Sequence, residues 1–328
     1  MSELENKIIE RAAALLSGGE VKRVVGWTKG EFIHDPSPAT FETEESLKNF
    51  VYNDFCGANL SKYLIDISKK EGKTAVFLKP CDTYSFNELV KEHRIKRENV
   101  YVIGVECQGK LAEYKLTEKG VTGITAEKYD GENAVLDTLY GQKTIKKSEV
   151  LLEKCLSCKG KKHVVSDETI ILGEPVDTTV GDRFSKVREL ENMSEEERFA
   201  FWRAELSKCI RCNACRNVCP ACSCLKCVFD NPQSGVAAKS NADCFEEQLF
   251  HIIRAFHVSG RCTDCGECSR VCPQHIPLHL LNRKFIKDID ALYGELQAGE
   301  VDEGKTPLTS YTEGDTEPNK VFTATEGK

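Results

Sequence analysis

The sequence predicts an α/β N-terminal domain with a largely parallel sheet, followed by a smaller helical domain rich in cysteine. Three observations lead there. Between residues 21 and 107, β-branched apolar runs of strand length alternate with amphipathic segments, the pattern of strands joined by crossover helices. Beyond residue 185 the strand-like runs stop and helical periodicity takes over. The 328 residues include seventeen cysteines, and eight of them form two copies of one spacing, C-x2-C-x2-C-x3-C-P.

The first element is a helix: MSELENKIIERAAALLSGG places Leu4, Ile8, Ala12, Leu15 and Leu16 on one face. A secretory signal would open basic and continue as a solid apolar run, so this acidic, amphipathic start points to a cytoplasmic protein. VKRVVGWT (21–28), KTAVFL (73–78) and NVYVIGVEC (99–107) read as strands, with helices at NLSKYLIDISKKEG (59–72) and TYSFNELVKEHRI (83–95) between them. Cys81, in KPCD, directly follows the second of these strands, and Cys107, in VECQG, ends the third. Right-handed crossovers bring both strand ends to the carboxyl edge, where open α/β sheets bind ligands. KCLSCKGKK adds Cys155 and Cys158. Two single cysteines plus a C-x2-C are enough for a 4Fe–4S cluster assembled from distant segments. The plain alternative packs Cys81 and Cys107 at strand ends and puts Cys155 and Cys158 in a small zinc knuckle.

Lys79 stands either where it meets a phosphate or an electron-rich ring at that edge, or in solvent. Asp82 is placed to cap a helix starting at Thr83. Cys56 reads as structural. No G-x-G-x-x-G follows a strand and no P-loop is present, which argues against a dinucleotide held in the Rossmann manner. GEPVDTTVGDRF (173–184) is the expected connection, giving a first domain over 1–185.

The second domain, 186–290, opens with MSEEERFAFWRAELSK, where Ser194 and Glu197 stand in capping-box register and Phe199, Trp202 and Leu206 recur at helical spacing. The two repeated runs follow: Cys209, Cys212, Cys215 and Cys219 before Pro220, then Cys262, Cys265, Cys268 and Cys272 before Pro273. This is the bacterial ferredoxin pattern, in which three thiolates of a run grip one cluster and the fourth reaches the other. One 4Fe–4S cluster would take Cys209, Cys212, Cys215 and Cys272, and the second Cys262, Cys265, Cys268 and Cys219. Structural zinc uses C-x2-C pairs separated by a longer spacer, a different pattern. Between the runs, CFEEQLFHIIRAFHVSG predicts a helix with Leu249, Ile252, Ile253 and Phe256 inward and Gly260 ending it. His251, His257, His275 and His279 read as polar-face or capping residues.

Cys222, Cys224, Cys227 and Cys244 remain in the same region. Four thiolates suffice for another cluster or a closed zinc site, and buried small apolar residues are the alternative. The tail, 291–328, ends in AGEVDEGKTPLTSYTEGDTEPNKVFTATEGK, too polar to offset chain entropy by burial, which predicts disorder or an arm ordered by a partner.

Composition narrows the function classes. A net charge of −7 argues against nucleic acid, which demands a basic surface, and no run approaches the roughly 20 apolar residues of a membrane span. An odd count of cysteines without an export signal argues against a disulfide framework and for metal.

VFLKPCDTYSFNELV, VIGVECQG, CLSC and VVSDETIILGEP resemble the beta subunits of coenzyme F420-reducing hydrogenases and dehydrogenases, the F420-linked formate dehydrogenase beta subunit among them. The resemblance spans most of residues 20 to 180, and the dicluster module extends it to about residue 290. It implies FAD, iron–sulfur clusters, and partners that are other subunits of a redox complex (hydrogenase, formate dehydrogenase or heterodisulfide-reductase-like). It also implies that Cys81, Cys107, Cys155 and Cys158 bind a cluster beside the flavin; Lys79 and Asp82 are the candidates for the flavin's edge. Three functions follow as expectations. The first is an electron-transfer subunit passing electrons along 4Fe–4S clusters. The second is an FAD-containing oxidoreductase subunit that exchanges hydride with F420 or NAD(P)H. The third is a zinc-rich interaction module.

Overall fold

A computed structural model describes residues 2–159, 162–173, 182–234, 244–305, 308 and 310, the side chains of Pro232 and Cys244 excepted. The chain forms two compact units, Met1–Asp182 and Arg183–Lys328. Most of the expected connection (174–181) and most of the tail beyond 305 lie outside the described residues.

In the first unit, the Ser2 hydroxyl caps α1 (Glu3–Ser17) by accepting the Glu5 N–H at 3.1 Å. Ile8, Ala12 and Leu15 of that helix are buried on the sheet side, as the periodicity predicts. The main sheet has the order β2-β1-β3-β4-β8. Its strands β1 (Arg23–Thr28), β3 (Thr74–Leu78), β4 (Val100–Val105) and β8 (Glu168–Ile170) run parallel, and β2 (Ser37–Phe41) pairs antiparallel with β1. Every residue of β3 is buried, the mark of a parallel strand covered on both faces.

Two helices differ from expectation. The segment expected as a helix over 59–72 makes only a tight turn at Ser61–Tyr63 and the short α2 (Leu64–Ile67). The Asn99 side chain takes the Ser68 carbonyl at 2.8 Å, an acceptor that the next helical turn would need. The helix expected from Thr83 starts earlier, as α3 (Pro80–Lys91), because proline fits the first helical position.

A second, three-stranded antiparallel sheet was not foreseen. It comprises β5 (Ile124–Asp130), β6 (Asn133–Thr138) and β7 (Gly141–Lys146), flanked by α4 (Glu113–Glu118), α5 (Lys147–Val150) and α6 (Glu153–Leu156). Only β6 buries a run of residues, Ala134 to Leu136, so the apolar signal across these strands is faint.

The second unit is helical: α7 (Ser185–Glu191), α8 (Glu195–Ser207), α9 (Ala214–Val218), α10 (Cys244–His257), α11 (Glu267–Arg270) and α12 (Leu278–Tyr293). The capping box forms, with the Glu197 N–H donating to the Ser194 hydroxyl at 3.2 Å and the Ser194 N–H to the Glu197 carboxylate at 2.9 Å. α10 packs against α8 and α12, and α9 against α11. Among the described residues no helix is long and apolar enough to cross a membrane.

Candidate metal centres

In the first unit, Leu78 of β3 and Gly104 of β4 are register partners. Cys81 and Cys107 each lie three residues beyond them, so both follow the carboxyl ends of adjacent parallel strands. Cys81 occupies the first turn of α3; Cys107 sits in the loop after β4; α6 carries Cys155, with Cys158 just beyond. The α6 segment is tied down by the Leu152 N–H donating to the Lys110 carbonyl at 2.8 Å and by Lys154 Nζ donating to the Gly57 carbonyl at 2.7 Å. Electrostatic effects link the four thiols in a chain, Cys107 to Cys155, Cys155 to Cys158 and Cys158 to Cys81. Burial pushes the Cys155 thiol up to about 12, with the Cys107 and Cys158 charges adding to it. Burial pushes Cys81 well up too, with Asp82 and then Cys158 adding.

Lys79 and Asp82 are buried against each other, Nζ to carboxylate at 2.7 Å. Lys79 also donates to the Ala58 carbonyl at 2.7 Å and stands 4.5 Å from the Trp27 ring centre. Lys79 is therefore not solvated, and Asp82 sits within the first turn of α3 rather than capping it. Cys56, wholly buried, accepts the Asn53 N–H at 3.4 Å.

In the second unit the two cysteine runs fold alike. Arg211 and Asp264, each two residues past the first cysteine of its run, have φ of 56° and 54°. Asn213 and Gly266, each four past it, have φ of 61° and 65°. Three of these four are not glycine, so the left-handed backbone costs about 1–2 kcal/mol at each and is imposed by the loop's geometry. Each loop then enters a short helix, α9 or α11.

The fourth cysteine of each run crosses to the other. Cys209, Cys212, Cys215 and Cys272 line one hollow, with Phe250, His251, Pro273 and Ile276 among its walls. Burial pushes the Cys209 thiol up to about 11 and the Cys215 thiol to about 12, and Cys272 contributes at both. Burial raises Cys262 and Cys268, and Cys219 adds to both, while Cys265 adds at Cys262. Buried thiols held this high persist as thiolates only against a cation, which is what metal ligation provides.

Polar groups point at these sulfurs. The Arg211 N–H donates to Cys209 Sγ at 3.3 Å, His251 Nε2 lies 3.2 Å from the same sulfur, and Asn282 Nδ2 donates to Cys268 Sγ at 3.8 Å. Burial, then Arg254 and Arg211, lower the His251 pKa to about 3, so its ring is neutral and has one N–H to offer. Glu247 pairs with Arg211 at 3.3 Å.

The expected inward face of α10 is corrected by these contacts. Ile252 and Phe256 are exposed, and the buried row is Glu247, Phe250, His251, Arg254 and Ala255, followed by Val258. Apolar periodicity misreads this helix because its polar residues turn towards the cysteines. Glu247, His251 and Arg254 were missed for that reason; their spacing of three and four residues was the available signal. Trp202, half-buried, packs against the apolar cluster that includes Leu206, Cys215, Phe250 and Cys268.

Of the remaining cysteines, Cys222 hydrogen-bonds with Cys219 and so stands at the second set. Cys227 lies beside Arg216, itself paired with Asp230 at 2.7 Å, and Cys224 is exposed. The side chain of Cys244 lies outside the described residues.

The donor sets fit iron–sulfur cages better than single zinc ions. Tetrahedral zinc at about 2.3 Å from each sulfur needs thiolates about 3.8 Å apart. Among the described residues, the one group of three such ligand atoms within 4.8 Å of one another is Cys209, Glu247 and His251, which holds a single cysteine. No three cysteines of any set meet that limit among the described residues, so the sets are looser than a tetrahedral zinc site.

Comparison with known proteins agrees. Residues 205–276 match the 4Fe-4S dicluster domain family. Over an alignment 340 positions long, the chain is 24% identical to the F420-dependent formate dehydrogenase subunit beta of Methanocaldococcus jannaschii, covering 85% of this chain and 88% of that one. It is 25% identical over 276 residues to the F420-dependent formate dehydrogenase 1 subunit beta of Methanococcus maripaludis, covering 66% and 71% respectively. Among solved structures, a chain of the F420-reducing NiFe hydrogenase complex from Methanosarcina barkeri overlays on 47% of this chain and 62% of its own, at 14% identity and a TM-score of 0.37. Along most of its length the chain is thus similar to the F420-dependent formate dehydrogenase beta subunits whose family its sequence resembles, and residues 205–276 are a 4Fe–4S dicluster domain, the electron-conducting part of an oxidoreductase subunit.

Proposed function

We propose that this chain is the iron–sulfur electron-transfer subunit of a multi-subunit cytoplasmic redox complex. Cys209, Cys212, Cys215 and Cys272 hold one 4Fe–4S cluster; Cys262, Cys265, Cys268 and Cys219 hold the second; Cys81, Cys107, Cys155 and Cys158 hold a third. The observation that carries this reading is the single hollow lined by three cysteines of one run and the fourth of the other. Bound clusters supply one-electron steps at potentials set by charge and hydrogen bonding around sulfur. The chain's own residues fix the thiolates, wall the first hollow with Phe250, direct the Arg211 N–H at Cys209 and set His251 Nε2 3.2 Å from the same sulfur. The relatives are beta subunits of formate dehydrogenases, which makes other subunits of such a complex, or of a related hydrogenase or heterodisulfide-reductase-like one, the partners.

A second reading is favoured by the F420 dependence that the relatives' names carry. In it the chain also binds FAD and exchanges hydride with F420 or NAD(P)H, the flavin dividing each hydride's electron pair into single electrons for the clusters. Anaerobic purification of the intact complex, with iron, sulfide and flavin quantified, tests both. About twelve irons per chain are expected for three clusters, and about sixteen if Cys222, Cys224, Cys227 and Cys244 hold a fourth. Bound FAD that a hydride donor reduces selects the second reading; clusters without flavin select the first. A preparation lacking inorganic sulfide overturns both.

A further inference from the structure

Helix α10 and the residue that follows it run past both cysteine sets. Phe250 and His251 line the hollow of the first. Two turns on, Val258 shares a buried cluster with Cys219 of the second set, against which Cys262 of that set and Cys222 pack. Midway, four residues from Phe250 and four from Val258, stands Arg254. The Val258 N–H donates to the Arg254 carbonyl at 3.3 Å, so the helical course holds through this point and the three residues share one face.

Arg254 is 1% exposed, Nε, Nη1 and Nη2 are all buried with no oxygen or nitrogen partner among the described residues, and the group its guanidinium reaches as a hydrogen-bond donor is the Cys268 thiol. A cation buried this deeply ordinarily has an anion against it. Among the described residues, the buried carboxylates of the unit are engaged elsewhere: Glu247 with Arg211, Asp264 with Arg183 and Arg283, Glu267 with Arg270. The thiols whose charge acts most on Arg254 are Cys268, Cys215, Cys219 and Cys222, which include members of both sets.

We propose that Arg254 is the shared counter-cation of the two clusters, a positioning residue whose anionic partner is the pair of cages and whose charge raises the reduction potential of both. This rests on the ligand sets assigned above. A 4Fe–4S core with four thiolates is anionic when oxidised, and reduction adds one electron with no proton. A fixed positive charge in a dry interior therefore favours the reduced form, because neither water nor salt screens it. Standing between the sets, it acts on both couples rather than one.

The test is an EPR-monitored redox titration of the anaerobically purified full-length holoprotein as wild type, Arg254→Met and Arg254→Lys, with iron and sulfide measured on each. In Arg254→Met both couples move towards the oxidised form by tenfold or more in the one-electron equilibrium, which is about 59 mV or more to the negative side. In Arg254→Lys, which keeps the charge, both stay within tenfold of wild type. A shift below tenfold in either couple of Arg254→Met overturns the proposal. So does an Arg254→Lys protein that moves as far, since packing rather than charge would then be at work. Should Arg254→Met assemble no clusters, Arg254→Lys decides: two loaded clusters with couples within tenfold of wild type uphold the proposal, and loss or displacement of either overturns it. A wild-type protein without two 4Fe–4S signals refutes the ligand sets instead, a distinguishable result.

Discussion

Single residues carry more of the first unit's energetics than their letters suggest. Lys79 and Asp82 lie three positions apart, and both are sealed beneath the end of β3, paired at 2.7 Å. Removing one partner strands the other as a buried charge, which costs about 3–5 kcal/mol, whereas replacing both with apolar residues of similar volume costs far less. Asp82→Leu is expected to lose that amount in denaturant unfolding, and the Lys79→Met, Asp82→Leu double variant to recover most of it. Glu127 offers a pH-dependent case. It accepts the Asp54 N–H at 2.9 Å, and burial, then the Asp54 charge, push its carboxyl up to about 7. The folded chain then holds a proton that the unfolded chain, ordinary near 4.5, has released. Its contribution is present in full below that ordinary value and lost as pH rises through about 7, with a slope of up to about 1.4 kcal/mol per pH unit. Unfolding free energies measured from pH 5 to 8 should show this slope in the wild type and lack it in Glu127→Gln.

At the scale of elements, the two cysteine loops are the clearest repeat in the molecule. Asn213 and Gly266 occupy equivalent positions with φ of 61° and 65°, which a glycine adopts freely and a β-branched residue does not. Asn213→Gly is expected to load iron as the wild type does, while Asn213→Val loses about 1–2 kcal/mol and shows reduced occupancy of the first cluster by EPR spin integration. These loops were legible in the sequence because ligand spacing is a local property: three thiols in seven residues specify a tight turn whatever surrounds them. The parallel strands were legible for a similar reason, as uninterrupted β-branched runs. α10 was legible as a helix but not in its orientation, since its inner face is set by sulfurs brought from both runs rather than by apolar contrast. β5 to β7 escaped because two of the three strands bury almost nothing, and the helix expected over 59–72 was cut short by Asn99, a residue remote in sequence.

Across the whole molecule, the two units rest on different physics. Met1–Asp182 has an extended apolar core from Ile8 to Val105, with a second cluster around Leu116 and Leu136. Among its described residues Arg183–Lys328 has only small apolar groups, and cysteines are members of the two around its candidate centres: Cys215 and Cys268 lie in one and Cys219 in another. A unit whose core contains its metal ligands gains its folding free energy from ligation, because the site does not exist in the unfolded chain. Taking iron from the intact protein should therefore act unevenly. Hydrogen exchange before and after oxidative removal of iron with a chelator should show α8, α10 and α12 losing protection while β1, β3 and β4 keep theirs. Loss of protection in those strands at the same iron stoichiometry would mean that one cooperative fold depends on all the clusters. Retention of protection in α10 would mean that apolar packing alone holds the second unit. The proposed third set sharpens the comparison: two of its four cysteines, Cys81 and Cys107, follow the carboxyl ends of strands that are already buried, so iron held there should leave without unfolding the sheet.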